Sequence, residues 1–371
     1  MLFRSADSIK EMLKLVLSRY EKDYQVDTPT LVKDALCCIW AARQGLSEVE
    51  LLYLLGENGL PLAQAIWSPL HLALGESIHD HSGLMNFSHQ YFHQAVEEYY
   101  LPNEDEKRVF HNRLAAYFKK QEGYPRRKVI ELPWQWQHAK GWQELLGLLV
   151  DPDFFLAQWV VNQNDLFSFW AAVEENTRFN RAEAYLPVLE ATKNPFQASI
   201  HDHQISYLNG IALLLMNSGY SENAVGFLQE QERICRILGK KNDLQAALGN
   251  QALVLRGLGR LDEAMRILKS QETAYIEMDD RYGLQKALGN QALILQSWGR
   301  YDEAMHLHKE KEKICREIKN DEGLQIALGN QAVILKANGK LEDAMSLYKE
   351  QERMCRQLGN QDALQTNLGN Q

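Results

Sequence analysis

Four histidines, His79, His81, His89 and His93, fall within fifteen residues of one another. Imidazole nitrogens are good zinc ligands, and an i, i+4 pair such as His89/His93 would set two of them on one face of a helix. No cysteine or carboxylate completes an obvious set around them, so no metal or other cofactor is expected. A second pattern is made of amides. Leu-Gly-Asn-Gln occurs at Leu248–Gln251, Leu288–Gln291, Leu328–Gln331 and Leu368–Gln371, at intervals of 40 residues. A carboxamide carries both donor and acceptor, so Asn250, Asn290 and Asn330 could grip the backbone of a peptide without reading its sequence. Gly249, Gly289 and Gly329 beside them lack side chains and would let a ligand approach closely. Each should cost about 1 kcal/mol of helix stability relative to alanine, which calls for a compensating role. Arg256, Lys286, Gln296 and Lys336 lie one turn away on the same expected face and make it mildly basic. That favours an acidic peptide or a C-terminal carboxylate as partner. Two plainer readings stay open: Asn and Gly settle packing between copies, and the lysines are solvated.

Other chemistries find little support. No G-x-x-x-x-G-K-[ST] phosphate loop exists in the chain; Gly239-Lys240 and Gly339-Lys340 lack the preceding glycine and the hydroxyl residue. Cys37, Cys38, Cys235, Cys315 and Cys355 are an odd number without metal-type spacing, which suits free thiols in a reducing compartment. Cys235, Cys315 and Cys355 share one repeat column with Tyr275, and a column that accepts both residue types reads as packing. No catalytic constellation emerges, and no enzyme is expected. Net charge is −9, and residues 1–100 hold seven Lys/Arg against thirteen Asp/Glu, so phosphate backbones would be repelled and nucleic acid is not an expected partner. No apolar run approaches the roughly 18 residues of a membrane span. The opening stretch, MLFRSADSIKEMLKLVLSRY, is charged throughout and is no signal peptide. The expected location is cytoplasmic.

The amides must be positioned by the repeat that carries them. From Ala247, ALGNQALVLRGLGRLDEAMRIL aligns at 40-residue steps with ALGNQALILQSWGRYDEAMHLH and ALGNQAVILKANGKLEDAMSLY. From Tyr207, YLNGIALLLMNSGYSENAVGFL keeps the apolar columns and the glycine only. Leu244, Leu248, Ala252 and Leu255 form one apolar stripe at helical spacing. Gly259, Gly299 and Gly339, matched by Gly219, predict a left-handed residue that ends the helix. A second helix follows through Leu261, Ala264, Met265 and Leu268, and small Ala264, Ala304 and Ala344 predict close helix–helix approach. Such pairs bury their stripes only by stacking, which predicts an α-solenoid. The small Ala252, the Gly259 turn and Ala264 resemble the tetratricopeptide repeat in its longer form. Gln271 departs from it, standing where the family has a small residue. The resemblance implies that the first helices line a concave face that binds extended peptides, with the Asn two residues before the small Ala pointing into it.

The N-terminal half reads as helices around a hairpin. Ser8 with Glu11 and Ser47 with Glu50 are capping boxes. Thr28 and Pro29 open a helix closing near Gly45, and LAQAIWSPLHLAL forms another bent at Pro69. A β-hairpin is expected around His81-Ser82-Gly83, before the helix QYFHQAVEEYYL. Trp134, Trp136 and Trp142 are expected in the core of a helical linker. Helices followed by a small hairpin resemble a winged-helix domain. GLSEVELLYLLG, MNFSHQYFHQAVEEYYL and ELPWQWQHAKGWQELLGLLVDPDFF together resemble the region after the nucleotide-binding domain of NACHT-class signal-transduction NTPases, of the nephrocystin-3-like kind with C-terminal tetratricopeptide repeats. The expected organisation is a mainly α chain: a winged-helix-like domain with a small β-hairpin at 1–102, a helical linker region at 103–200, and a tetratricopeptide α-solenoid at 201–371. Its repeats are one degenerate copy, three good ones and a truncated fifth. Leu364 and Leu368 open a helix without its partner, so a sticky C-terminus, self-association there and a longer relative are expected. The favoured function is a non-enzymatic scaffold that binds a protein or peptide partner in the repeat groove. The alternative is the regulatory portion of a NACHT-type NTPase whose catalytic domain lies outside this chain.

Overall fold

A computed structural model describes residues 9–24, 29–193 and 202–370. The Ser8 capping box and Thr28 lie outside the described residues. The chain is mainly α, as the periodicity predicts, and divides into two compact units, 1–184 and 185–371.

The first unit opens with α1 (Ile9–Tyr24), α2 (Leu31–Ala41), α3 (Glu48–Leu55) and α4 (Gln64–Ala73), followed by β1 (Ile78–His81) and β2 (Leu84–Phe87). The α2 helix ends at Ala41, four residues before Gly45, and Pro69 sits inside α4. The Ser47–Glu50 capping box forms in both directions: the Ser47 hydroxyl accepts from Glu50 N, and the Glu50 carboxylate accepts from Ser47 N. The hairpin forms where expected, with Ser82 and Gly83 at φ 55° and 80° filling its turn. Leu46 adds one antiparallel bridge to Met85. That bridge requires Gly45, at φ 85°, because a Cβ there would stand 2.4 Å from the Met85 carbonyl oxygen.

Six helices follow: α5 (Gln90–Tyr100), α6 (Glu104–Lys119), α7 (Arg126–His138), α8 (Trp142–Leu149), α9 (Pro152–Val161) and α10 (Gln163–Asn176). The unit is held by polar groups as well as apolar core. Glu131 on α7 is fully buried and accepts hydrogen bonds from Arg43 N, Gln44 N and Gln135 Nε2 at 3.0–3.1 Å. Arg127 joins Glu131 to Glu50. Arg43 forks onto Asp165 at 2.7 and 2.9 Å with its guanidinium over the Trp134 ring. Trp134, Trp136 and Trp142 are half-buried rather than core; Trp67 and Trp170 fill the core instead. Trp134 is spent on stacking against Arg43 and His138, its ring centroid 3.9 Å from that of His138.

The unit boundary falls inside α11 (Arg181–Lys193). The second unit is built of helix pairs: α12 (Asp202–Asn217) with α13 (Ser221–Leu238), α14 (Lys241–Gly257) with α15 (Leu261–Glu277), α16 (Arg281–Ser297) with α17 (Tyr301–Glu317), and α18 (Asp321–Ala337) with α19 (Leu341–Leu358), then α20 (Gln361–Asn370). Gly219, Gly259, Gly299 and Gly339 all take φ between 71° and 86° at the turn inside each pair. In the second pair Arg260 N returns to Leu255 O at 2.9 Å, closing the helix end as a Schellman turn does. Ala264, Ala304 and Ala344 are buried, as close approach requires. This is a tetratricopeptide-type α-solenoid. No described helix is long and apolar enough to cross a membrane.

One packing choice titrates. His308 on α17 is fully buried at a column occupied by Leu268 and Tyr348 in the neighbouring copies. Burial, with the Lys311 charge nearby, pulls its pKa down to about 4. The unfolded chain binds this proton near pH 6.5 and the folded chain does not, so stability falls as pH drops from about 6.5 toward 4, by about 3 kcal/mol in all. His111 in the first unit, also pulled to about 4 by burial, adds the same sense of dependence there. His308→Leu should therefore reduce the loss of Tm between pH 7.5 and pH 5, measured by thermal melting followed by circular dichroism. An unchanged loss would show that His308 is not buried neutral.

Candidate interaction face of the repeats

The first helices α12, α14, α16 and α18 neighbour one another directly, which makes their shared side the inner face of the stack. On α14, Ala246, Asn250, Leu253 and Gly257, at spacings of four, three and four, are half-buried or exposed, with half-buried Gly249 and Arg256 beside them. That is one helical stripe. The equivalents on α16 are Lys286, Asn290, Leu293 and Ser297, and on α18 Ile326, Asn330, Val333 and Ala337. The three asparagines therefore share one register on this face, each half-buried. Asn250 donates through Nδ2 to Asn209 Oδ1 of the preceding first helix at 2.9 Å, so this amide reaches into the preceding repeat.

Beside the amides runs a column that sequence reasoning missed: Leu213, Leu253, Leu293 and Val333. Leu253 and Val333 keep 38% and 40% of their surface exposed, unusually open for aliphatics inside a helical array. The signal was present, since the column is aliphatic in every copy, but helical periodicity assigns such residues to the core. The remaining named residues are more scattered. Lys286 is exposed, with Nζ 4.4 Å from the centroid of the Tyr282 ring. Lys336 is exposed and Arg256 half-buried. Gln296 turns away from the face, its amide 3.1 Å from His308 Nε2 in the second helix of its own repeat.

The glycines do something other than open the face. An added Cβ at Gly329 would stand 2.4 Å from Gln351 Nε2, at Gly289 3.0 Å from Lys311 Nζ, and at Gly249 3.6 Å from Gln271 Nε2. Each glycine thus faces the second helix of its own repeat, and the space it leaves is filled from behind. This explains why Gln271 tolerates a position where a small residue was expected. Small and large have exchanged sides of the helix pair.

The glutamine of the motif is buried as well. Gln251 Nε2 donates to Leu228 O at 3.1 Å and Glu232 Oε2 at 2.8 Å, both on the second helix of the preceding repeat. Gln291 does the same to Leu268 O and Glu272, and Gln331 to His308 O and Glu312.

The other sequence candidates do not converge. His79 and His81 are exposed on the hairpin. His89 is the extended residue preceding α5, so the helical pairing with His93 does not form. His93 packs against Trp40 and Phe87, and burial lowers its pKa. No group of three metal-ligating side chains occurs among the described residues. All five cysteines are buried; burial pushes the Cys38 thiol up to about 12 and Cys235 up to about 11, away from nucleophilic chemistry.

No family model matches the chain. A TPR repeat-containing protein of Dictyostelium discoideum is 29% identical over 198 residues, 53% of this chain and 12% of that protein. Tetratricopeptide repeat protein 41 of Homo sapiens is 28% identical over 228 residues, 50% of this chain and 17% of that one. The match thus spans a small fraction of the length of these curated relatives. Among solved structures, a signal transduction ATPase with numerous domains and a tetratricopeptide repeat sensor, from Pyrococcus horikoshii, is similar at 16% identity and a TM-score of 0.41, over 99% of this chain and 50% of that one. The similarity is to repeat-bearing proteins; none of it bears out the NACHT assignment.

The glycine geometry predicts an asymmetry among identical substitutions. Gly249→Ala has room and should stabilise the second unit by up to about 1 kcal/mol through helix propensity. Gly329→Ala must displace Gln351 and should give no gain or a net loss. Urea unfolding of the two variants checks this, and equal stabilisation by both would contradict the packing described.

Proposed function

We propose that the chain is a non-enzymatic protein-interaction scaffold whose first-helix face binds an extended segment of a partner protein. One observation carries the reading: Asn250, Asn290 and Asn330 stand in register beside a half-exposed aliphatic column, Leu213, Leu253, Leu293 and Val333. Amides that both donate and accept suit a peptide backbone, and the aliphatics suit its apolar side chains. Stacked repeats of this kind form extended concave surfaces used for binding. The relatives in Dictyostelium and human carry tetratricopeptide repeats by name, which agrees with this reading.

In this proposal residues 1–102, winged-helix-like, and the helical region 103–200 carry the repeats of 201–371 and present them. The buried free thiols suit a cytoplasmic setting. No observation favours the alternative, a regulatory portion of a NACHT-type NTPase.

The test compares wild type with the Asn250→Ala, Asn290→Ala, Asn330→Ala triple variant and with a Leu253→Glu, Leu293→Glu double variant. A bait bearing Lys269→Ala and Lys309→Ala, on the second helices, serves as control. Partners captured by wild type and identified by mass spectrometry should remain with the control. The triple variant should bind them about a hundredfold more weakly, at about 1 kcal/mol per lost hydrogen bond, with helical circular dichroism unchanged. Equal capture by all baits would overturn the proposal.

A further inference from the structure

The first unit holds a cavity of about 340 Å³ to which the repeats contribute nothing. One wall is α7, with Lys128, Leu132 and Trp136 at steps of four along a single face. The facing wall is α8, with Glu144, Gly147 and Leu148, and Asp151 at the cap of α9 continues that stripe. Leu132 and Leu148 are buried and give the cavity an apolar floor. Gly147 makes the space. It stands inside α8, where glycine costs about 1 kcal/mol relative to alanine, and a Cβ built on it would meet nothing within 4 Å. Groups of both charges line the remainder. Lys128, only 7% exposed, donates to Lys119 O at 3.4 Å and Gln121 O at 2.6 Å. Its ammonium is thereby fixed at the end of α6 with one N–H to spare. Lys119 brings Nζ to 5.9 Å from the centroid of the Trp136 ring. Trp136 Cε3 and Glu144 Oε2 stand 2.8 and 3.3 Å from the point a Cβ of Gly141 would occupy, so that ring and that carboxylate adjoin. Among the described residues, neither lysine forms an ion pair with a carboxylate, and Glu144 forms none with a cation.

Ligand pockets run from about 300 to 1,000 Å³, so this one suits a small molecule. The floor of Leu132 and Leu148 favours hydrocarbon. The two ammoniums favour a carboxylate, and Glu144 favours a cation, since charge-assisted hydrogen bonds are the strong ones. We propose that the cavity binds a free α-amino acid with an apolar side chain. Its carboxylate lies on Lys128 and Lys119, its ammonium at Glu144, and its side chain over Leu132 and Leu148 against Trp136. A plain carboxylic acid would leave Glu144 unmatched, and a plain amine would leave the two lysines so. The zwitterion matches both. This site is independent of the repeat face and stands or falls apart from it.

The experiment offers leucine, phenylalanine and tryptophan to the full chain and detects binding by saturation-transfer NMR, with affinities from calorimetry. Each amino acid that binds is compared with its decarboxylated amine and its deaminated acid; for phenylalanine these are phenethylamine and 3-phenylpropionate. The variants are Gly147→Leu, Lys119→Met and Glu144→Gln. Gly147→Leu fills the cavity while improving helix propensity, and Lys119 and Glu144 are exposed, so circular dichroism should be unchanged in all three. At least one of the amino acids should bind wild type, and Gly147→Leu should abolish that binding. Lys119→Met and Glu144→Gln should each weaken it about tenfold, and the amine and the acid should each bind wild type about tenfold more weakly than the parent amino acid. No transfer to any of the three amino acids, or transfer that survives Gly147→Leu, overturns the site. An amine or acid that binds as tightly as its parent, or an amino acid indifferent to both charge variants, overturns the zwitterion match.

Discussion

The repeat array depends on one buried amide per junction. Gln251, Gln291 and Gln331 each donate twice, to a backbone carbonyl and to a glutamate of the preceding second helix. In a solenoid each repeat touches only its neighbours, so the relative placement of two repeats must be decided at the junction itself. Apolar packing fills that junction but is weakly directional. A 3%-exposed glutamine with two fixed acceptors is directional, because any slip along the helix would strand a buried polar group. At two of the three junctions the acceptor glutamate is itself held, Glu232 by Arg236 and Glu312 by Arg316. The register of the asparagine ladder follows, since each Asn is the residue immediately before the clamping Gln.

The motif thus divides its labour around the helix. Leu points to the core, Gly toward the second helix of its own repeat, Asn to the inner face, and Gln to the previous repeat. Four consecutive residues sweep through a full turn of directions, which is why all four recur together. A helix-breaking glycine is tolerated because the side chain opposite it, Gln271, Lys311 or Gln351, restores the volume that a Cβ would have supplied.

Much of this was legible in the sequence. The 40-residue period, the glycine turns, the small alanines, the Ser47–Glu50 capping box and the hairpin at Ser82-Gly83 all rest on local rules, and the structure forms each of them. What could not be read were pairings between residues that are remote in sequence. A polar Gln in a helix looks like surface until its acceptors, 19 and 23 residues earlier, are placed beside it. The orientation of Gly289 depends on which helix packs behind it. The half-exposure of Leu253 and Val333 depends on how the neighbouring first helices pack beside them, whereas periodicity alone counts them as core. Likewise Trp134 reads as core by size, yet the Arg43–Asp165 fork draws it into a stacked, half-buried position.

Near-identical copies make their differences informative. Where Leu268 and Tyr348 stand in the flanking repeats, α17 has His308; where Gln271 and Gln351 stand, it has Lys311. Both substitutions place an ionisable group where its charged form is penalised, and burial lowers the pKa of His308 and of Lys311. His308 Nδ1 is also left without a hydrogen-bond partner. A repeat under selection for stability alone would favour the neighbours' Leu and Gln, which fill the same column without an unmet charge. The clamps on either side of α17, Gln291 and Gln331, hold the third repeat in place regardless. A one-dimensional array can therefore carry a locally unfavourable, chemically distinct repeat at its middle.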